Sequence, residues 1–161
     1  MKYNEITENY IYYITYTMSM NVDAALNEDI FDDEKTLKRL KNTEITLKGS
    51  SKAFTIFLIL WYLSKDNMHG YLIMKKIDEI FEPHIRAGLM KETKANKIYP
   101  ILKELSNKNL IEYYPGIHKN KDVKIYRLTD EGQEILNLLK KSYKVMTEGK
   151  VWNELFEDLN S

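Results

Sequence analysis

Residues 52 to 64 are apolar on nearly every side, with Phe54, Ile56, Phe57, Leu58, Ile59, Leu60, Trp61 and Leu63 packed into one short stretch. A transmembrane helix needs about 20 such residues, and this run stops at Ser64-Lys65-Asp66-Asn67. A short helix with no face to give to water must sit at the centre of a soluble fold, so the flanking sequence has to surround it. The chain after it is patterned to do so. A turn at Asp66-Asn67-Met68-His69-Gly70 leads to Ile73, Met74, Ile77, Ile80 and Phe81, one helical stripe closed by Pro83. Ile98, Ile101, Leu102 and Leu105 repeat the i, i+3, i+4, i+7 spacing of a third helix, from about Thr93 to Asn109. Opposite that stripe lie Thr93, Asn96, Pro100, Lys103 and Asn107, with Lys97 and Tyr99 flanking them.

Two β-rich runs come next, Leu110 to Tyr114 and Val123 to Leu128, around the turn-rich stretch Pro115 to Asp122. They read as a hairpin. Thr129 then caps a helix whose first turn holds Asp130 and Glu131, favourable at the positive end of the helix dipole. That helix carries Ile135, Leu138 and Leu139. After Gly149 a second stripe follows at Val151, Trp152, Leu155, Phe156 and Leu159. Ahead of the central run, Ile6, Tyr10, Tyr13, Ile14 and Thr17 follow helical spacing, although Ile11 to Thr17 also suits a strand. Asp23 and then Asp32 or Asp33 are placed to cap short helices, and Ile45 to Leu47 suits a short strand.

At 161 residues and 43% hydrophobic, the chain suits one compact domain with terminal elaborations. It has no cysteine, which excludes disulfides and cysteine-rich zinc sites, and no signal-peptide layout at the start. The expectation is a soluble, cytoplasmic protein without a membrane partner. The net charge of zero conceals a segregation: residues 1 to 34 sum to −7, residues 35 to 127 to +10, and residues 128 to 161 to −3. A basic middle is the footprint of contact with a polyanion.

Three helices followed by a basic hairpin is the layout of a winged helix-turn-helix. The runs Ile59-Leu60-Trp61-Tyr62-Leu63, His69-Gly70-Tyr71-Leu72-Ile73, Ile98-Tyr99-Pro100-Ile101-Leu102-Lys103-Glu104-Leu105, Leu110-Ile111 and Tyr126-Arg127-Leu128-Thr129-Asp130-Glu131-Gly132 resemble, in order and spacing, the PadR family of transcriptional regulators. The resemblance spans roughly residues 52 to 139, and the Tyr-Pro pair inside the third helix is its most specific element. It departs from the family at Lys94-Ala95-Asn96-Lys97, where Ser-Pro-Gly-Thr is usual, and in the 50 residues ahead of the first module helix.

The expected architecture is mainly α with a small β-hairpin: an acidic, Tyr-rich extension over 1–50, a winged helix-turn-helix over 51–129, and dimerisation helices over 130–161. Asn suits adenine, and Lys suits guanine or phosphate. Asn96, Lys97 and Lys103 therefore carry the case for double-stranded DNA, with Thr93 and Tyr99 as phosphate donors. Pro100 should bend this helix, unless the helix begins only near Asn96. His118, Lys119, Asn120 and Lys121, with Lys124 on the return strand, form a cationic wing tip. The plain alternative for each is an ordinary solvated surface. The resemblance implies a homodimeric repressor paired through the C-terminal helices, so Val151, Trp152, Leu155, Phe156 and Leu159, joined by Tyr13, become candidates for that interface. It implies there a site for a flat aromatic effector too.

His69-Gly70-Tyr71 has no nucleophile or acid at catalytic spacing, and a turn with His69 near the helix start is the better reading. No enzyme activity, metal or cofactor is expected. A winged module used only for protein contacts is the competing reading.

Overall fold

The computed structural model describes residues 51–161, apart from the side chains of Ser51, Val145 and Met146. The expectations for residues 1–50, including the helices and strand there and the interface role of Tyr13, lie outside the described residues.

Helix α1 (Ser51–Leu63) is central, as its composition demands. Ile56, Leu58, Ile59, Leu60 and Leu63 are all buried, and α1 touches the second helix, the last strand and the long helix that follows. The chain turns through Ser64, whose Oγ donates to the Trp61 carbonyl at 2.6 Å, and enters β1 (Met68–His69). This two-residue strand is an addition to the expected hairpin. It pairs antiparallel with the wing, Met68 opposite Tyr126 and His69 opposite Ile125, giving a three-stranded sheet in the order β1-β3-β2.

Helix α2 (Gly70–Ile80) is capped by His69, whose Nδ1 accepts from the Leu72 N–H at 3.3 Å. Its Ile73 and Ile77 enter the core, while Ile80 overhangs the last turn and is exposed. The helix ends at Ile80, so Pro83 does not close it. Pro83 instead sits in the first turn of a short helix α3 (Glu82–Arg86), where its fixed φ and missing N–H cost nothing. Gly88 follows at φ 73, the left-handed conformation that ends a helix readily without a Cβ.

Helix α4 (Ala95–Asn107) buries Ile98, Ile101, Leu102 and Leu105, the stripe expected of it. It starts two residues later than its pattern suggested, because the Thr93 N–H donates to Asp78 Oδ1 at 2.9 Å and Lys94 is extended. Its end is a Schellman motif: Asn109 adopts φ 57, its N–H donates to the Ser106 carbonyl, and the Leu110 N–H donates to that of Leu105. Pro100 lies well inside α4, and the helix runs through it.

Strands β2 (Ile111–His118) and β3 (Lys121–Leu128) pair along their whole length, so the stretch read as a long turn is mostly strand. Pro115 is tolerated because β2 is an edge strand. Gly116 lets Ile125 lie across it, since a Cβ there would fall 2.5 Å from Ile125 Cγ1. Only Lys119 and Asn120 make the turn, both at positive φ as a type I′ hairpin requires.

The wing then returns to the module. Thr129 Oγ1 donates to the Asn109 carbonyl at 2.7 Å and accepts from the Gly132 N–H at 3.0 Å, capping helix α5 (Asp130–Thr147). Any Cβ at Gly132 would collide with the Leu110 carbonyl oxygen. Ile135, Leu136 and Leu139 complete the core, and Tyr143 meets the edge of Phe57 with ring centroids 4.6 Å apart. Burial pushes the Tyr143 phenol up to about 12. Gly149 opens the last helix, α6 (Lys150–Leu159).

Candidate nucleic-acid interface

A cleft of about 930 Å³ lies between the start of α2, the C-terminal half of α4 and the wing. Its α4 wall presents Tyr99, Lys103 and Asn107, and its wing wall presents His118, Lys119, Lys121 and Lys124. The phenol end of Tyr99 lies against Gly70, where a Cβ would stand 2.7 Å from the ring. The glycine at the start of α2 therefore allows this tyrosine to dock.

Charge is arranged unevenly around these elements. Glu104, on the inner side of α4, accepts from Lys52 at 2.6 Å and from Lys108 at 3.1 Å. Those bonds, Lys52 first, hold its carboxyl below the usual range. Glu112 on the wing is paired with Arg127 at 2.8 Å. By contrast, Lys97, Lys103, Lys119, Lys121 and Lys124 form no ion pair among the described residues. Lys124 instead lies 4.1 Å over the Tyr113 ring, a cation–π contact that holds it over the cleft. Among the described residues Asp122 is the one acid lining the cleft.

The ten residues nominated from sequence divide in space. Tyr99, Lys103, His118, Lys119, Lys121 and Lys124 line this cleft, and Asn120 stands exposed at the hairpin tip. Thr93, Asn96 and Lys97 border a second groove of about 280 Å³, floored by Phe54, Leu58, Ile77 and Phe81. Thr93 is half-buried, whereas Asn96 and Lys97 are exposed. Asn96 and Lys103 nevertheless share one face of α4, because seven residues make almost two full turns.

The sequence reading did not pick out the other ring-bearing residues of the cleft, His69, Tyr71, Tyr113 and Tyr126. Tyr126 is buried, and its phenol is raised first by that burial and then by Tyr99 and Tyr113. Alternation along β2 and β3 could have flagged Tyr113 and Tyr126 as sharing a sheet face. His69 reaches the cleft only through the pairing of β1. Among the described residues no group of three or more His, Cys, Asp or Glu could hold a metal ion, and no helix is long and apolar enough to cross a membrane.

Beyond α5, the apolar stripe of α6 is left uncovered by the described residues. Val151 is 75% exposed, Leu159 63%, and Leu155 and Phe156 44% each. Trp152 is half-buried, with its ring centroid 5.6 Å from that of Phe156.

Helices α1, α2 and α4, a short strand and a hairpin that follows α4 define a winged helix-turn-helix protein. Residues 59–138 match the model of the transcriptional regulator PadR-like family. The chain belongs to that family, which consists of transcriptional regulators and not enzymes. Among solved structures, a Streptococcus mutans UA159 protein is 32% identical, over 59% of this chain and 80% of that one, with a TM-score of 0.49. A PadR family transcription regulator from Clostridium difficile R20291 is 28% identical, over 64% and 98%, with a TM-score of 0.48. A PadR-like transcription factor from Bacteroides fragilis is 24% identical, over 68% and 89%, also at 0.48. No curated protein matches the chain.

Proposed function

We infer that this regulator is a cytoplasmic homodimer that binds an inverted-repeat operator in double-stranded DNA and represses transcription by blocking promoter access. The observation that carries the reading is the set of lysines that have no ion-pair partner among the described residues and face one cleft beside the exposed face of α4, while Glu104 and Glu112 on the same elements are neutralised within the protein. Phosphates would complete the lysines' pairing. Helix α4 is 13 residues long, about 20 Å, and fits the major groove with Asn96, Lys97 and Lys103 toward base edges and backbone. The wing then lies over the adjacent backbone, with Lys119 and Lys121 on phosphates.

In this reading residues 51–129 bind DNA and residues 130–161 dimerise. The uncovered stripe of α6 is the surface a second protomer would bury, setting two α4 helices one turn of DNA apart, about 34 Å. Trp152 and Phe156 give that interface an aromatic surface on which a flat effector would stack.

Binding of the full chain to promoter DNA from its own locus, compared with random duplex across a salt series, tests the reading. Locus-selective binding with a steep salt slope is expected. Equal, weak binding to both duplexes at low salt would overturn it and favour a role in protein contacts alone.

A further inference from the structure

We propose that His69 and His118 form a proton-sensitive latch that fastens the wing tip to the start of α2. His69 stands at the junction of β1 and α2, and His118 ends β2 immediately before the Lys119-Asn120 turn. Their ring centroids are 4.3 Å apart, with the planes inclined by 40°. This contact joins the helix-turn-helix to the tip of a wing whose other residues beyond Ile111 and Tyr126 are mostly exposed.

The latch requires a neutral His69. Its Nδ1 accepts the Leu72 N–H, so the lone pair that would take a proton is already engaged in capping α2. A proton on Nδ1 would end the cap and set a cation against His118. Around the pair stand Lys103 from α4 and Lys119, Lys121 and Lys124 from the wing, with Asp122 as the one acid lining the cleft among the described residues. The neighbouring phenols are those of Tyr71, Tyr99, Tyr113 and Tyr126. Burial first, and His118 second, lower the His69 pKa below the ordinary histidine value. Neutral imidazole is thus favoured on folding, and the stability it gives is whole above about pH 6.5 and is lost as pH falls below that.

Because the Met68–His69 backbone is itself paired with β3, protonation leaves the strand in place and releases the side-chain contact. What moves is the tip, with Lys119 and Lys121 on it. His69 is therefore a positioning residue for the wing lysines, whether or not the cleft carries DNA, so its test stands apart from that of the proposed function.

The test is an NMR titration of the full chain from pH 8 to 5, following both imidazoles, the Leu72 amide and the Lys119 to Lys121 amides. In the wild type the His69 midpoint should lie below about 6.5, and the Leu72 and wing-tip signals should move with it. His118→Gln, which keeps a polar side chain over His69, should raise the His69 midpoint. His69→Asn, which caps without titrating, should hold the Leu72 signal steady and abolish the wing-tip transition at the former His69 midpoint. An unchanged His69 midpoint in His118→Gln, or wing-tip amides that ignore the His69 titration, would overturn the latch.

Discussion

Helices α4 and α6 are both short and both amphipathic, yet they end up with opposite faces in water. In α4 the four stripe residues Ile98, Ile101, Leu102 and Leu105 are buried, and what remains outside is Asn96, Lys97, Tyr99 and Lys103. In α6 no residue is buried, and Val151, Leu155, Phe156 and Leu159 remain outside. The apolar demand of α4 is met within the protomer, so its exposed face is free to meet a polar, charged partner. That of α6 is unmet, and water is a poor partner for it. The difference assigns the two ends of the molecule to different kinds of contact.

The largest expected effect comes from making α4 resemble α6 by removing part of its buried stripe. Leu102→Ala should cost about 2–5 kcal/mol, read as a lower urea midpoint at unchanged slope. The reverse manipulation is Leu155→Glu with Phe156→Glu, which gives α6 a polar face. Light scattering should then report a monomer, against the dimer proposed for the wild type, and circular dichroism should be little changed because neither residue is in the core. A dimer that survives both charges would remove α6 from the interface.

A smaller effect tests the outer face of α4 together with the wing. Lys97→Ala and Lys119→Ala should each lower the salt slope of DNA binding by about 0.9, with a modest loss of affinity. An unaltered slope in the double variant would take both residues out of the interface. The smallest effect concerns pH. The Tyr143 phenol stays neutral up to about 12, so folding contributes stability that is whole below about pH 10 and is lost as pH rises toward 12. Tyr143→Phe should flatten the alkaline limb of the stability curve and leave the neutral range nearly unchanged.

Local signals were readable in the sequence where a local rule decides the outcome. The α4 stripe, the Thr129 cap and the Gly149 break between α5 and α6 each follow from spacing or capping chemistry, and each is present. Features set by distant partners were not. Pro115-Gly116 resembles a turn in every local respect, and it is strand because β2 is an edge and Ile125 fills the space above the glycine. Two residues, Met68 and His69, carry too little pattern to announce a strand. Their pairing with β3 is what brings His69 into the cleft. The nominated site residues were chosen by helical phase, which does not reveal that Thr93, Asn96 and Lys97 border a different groove from the wing lysines.

The junction at Asn109, Leu110, Thr129 and Gly132 gives α5 the character of a ruler. Thr129 ties the end of α4 to the start of α5, and the bare Gly132 lets the first turn of α5 rest on the Leu110 carbonyl, leaving little play between the two helices. Helix α5 then carries α6 away over 18 residues, about 27 Å. In a dimer joined through α6, the length and phase of α5 would fix the distance and rotation between two reading heads. One residue inserted near its middle would advance α6 by about 1.5 Å and turn it by about 100°, changing which half-site spacing the protein accepts while leaving every DNA-facing side chain as it is.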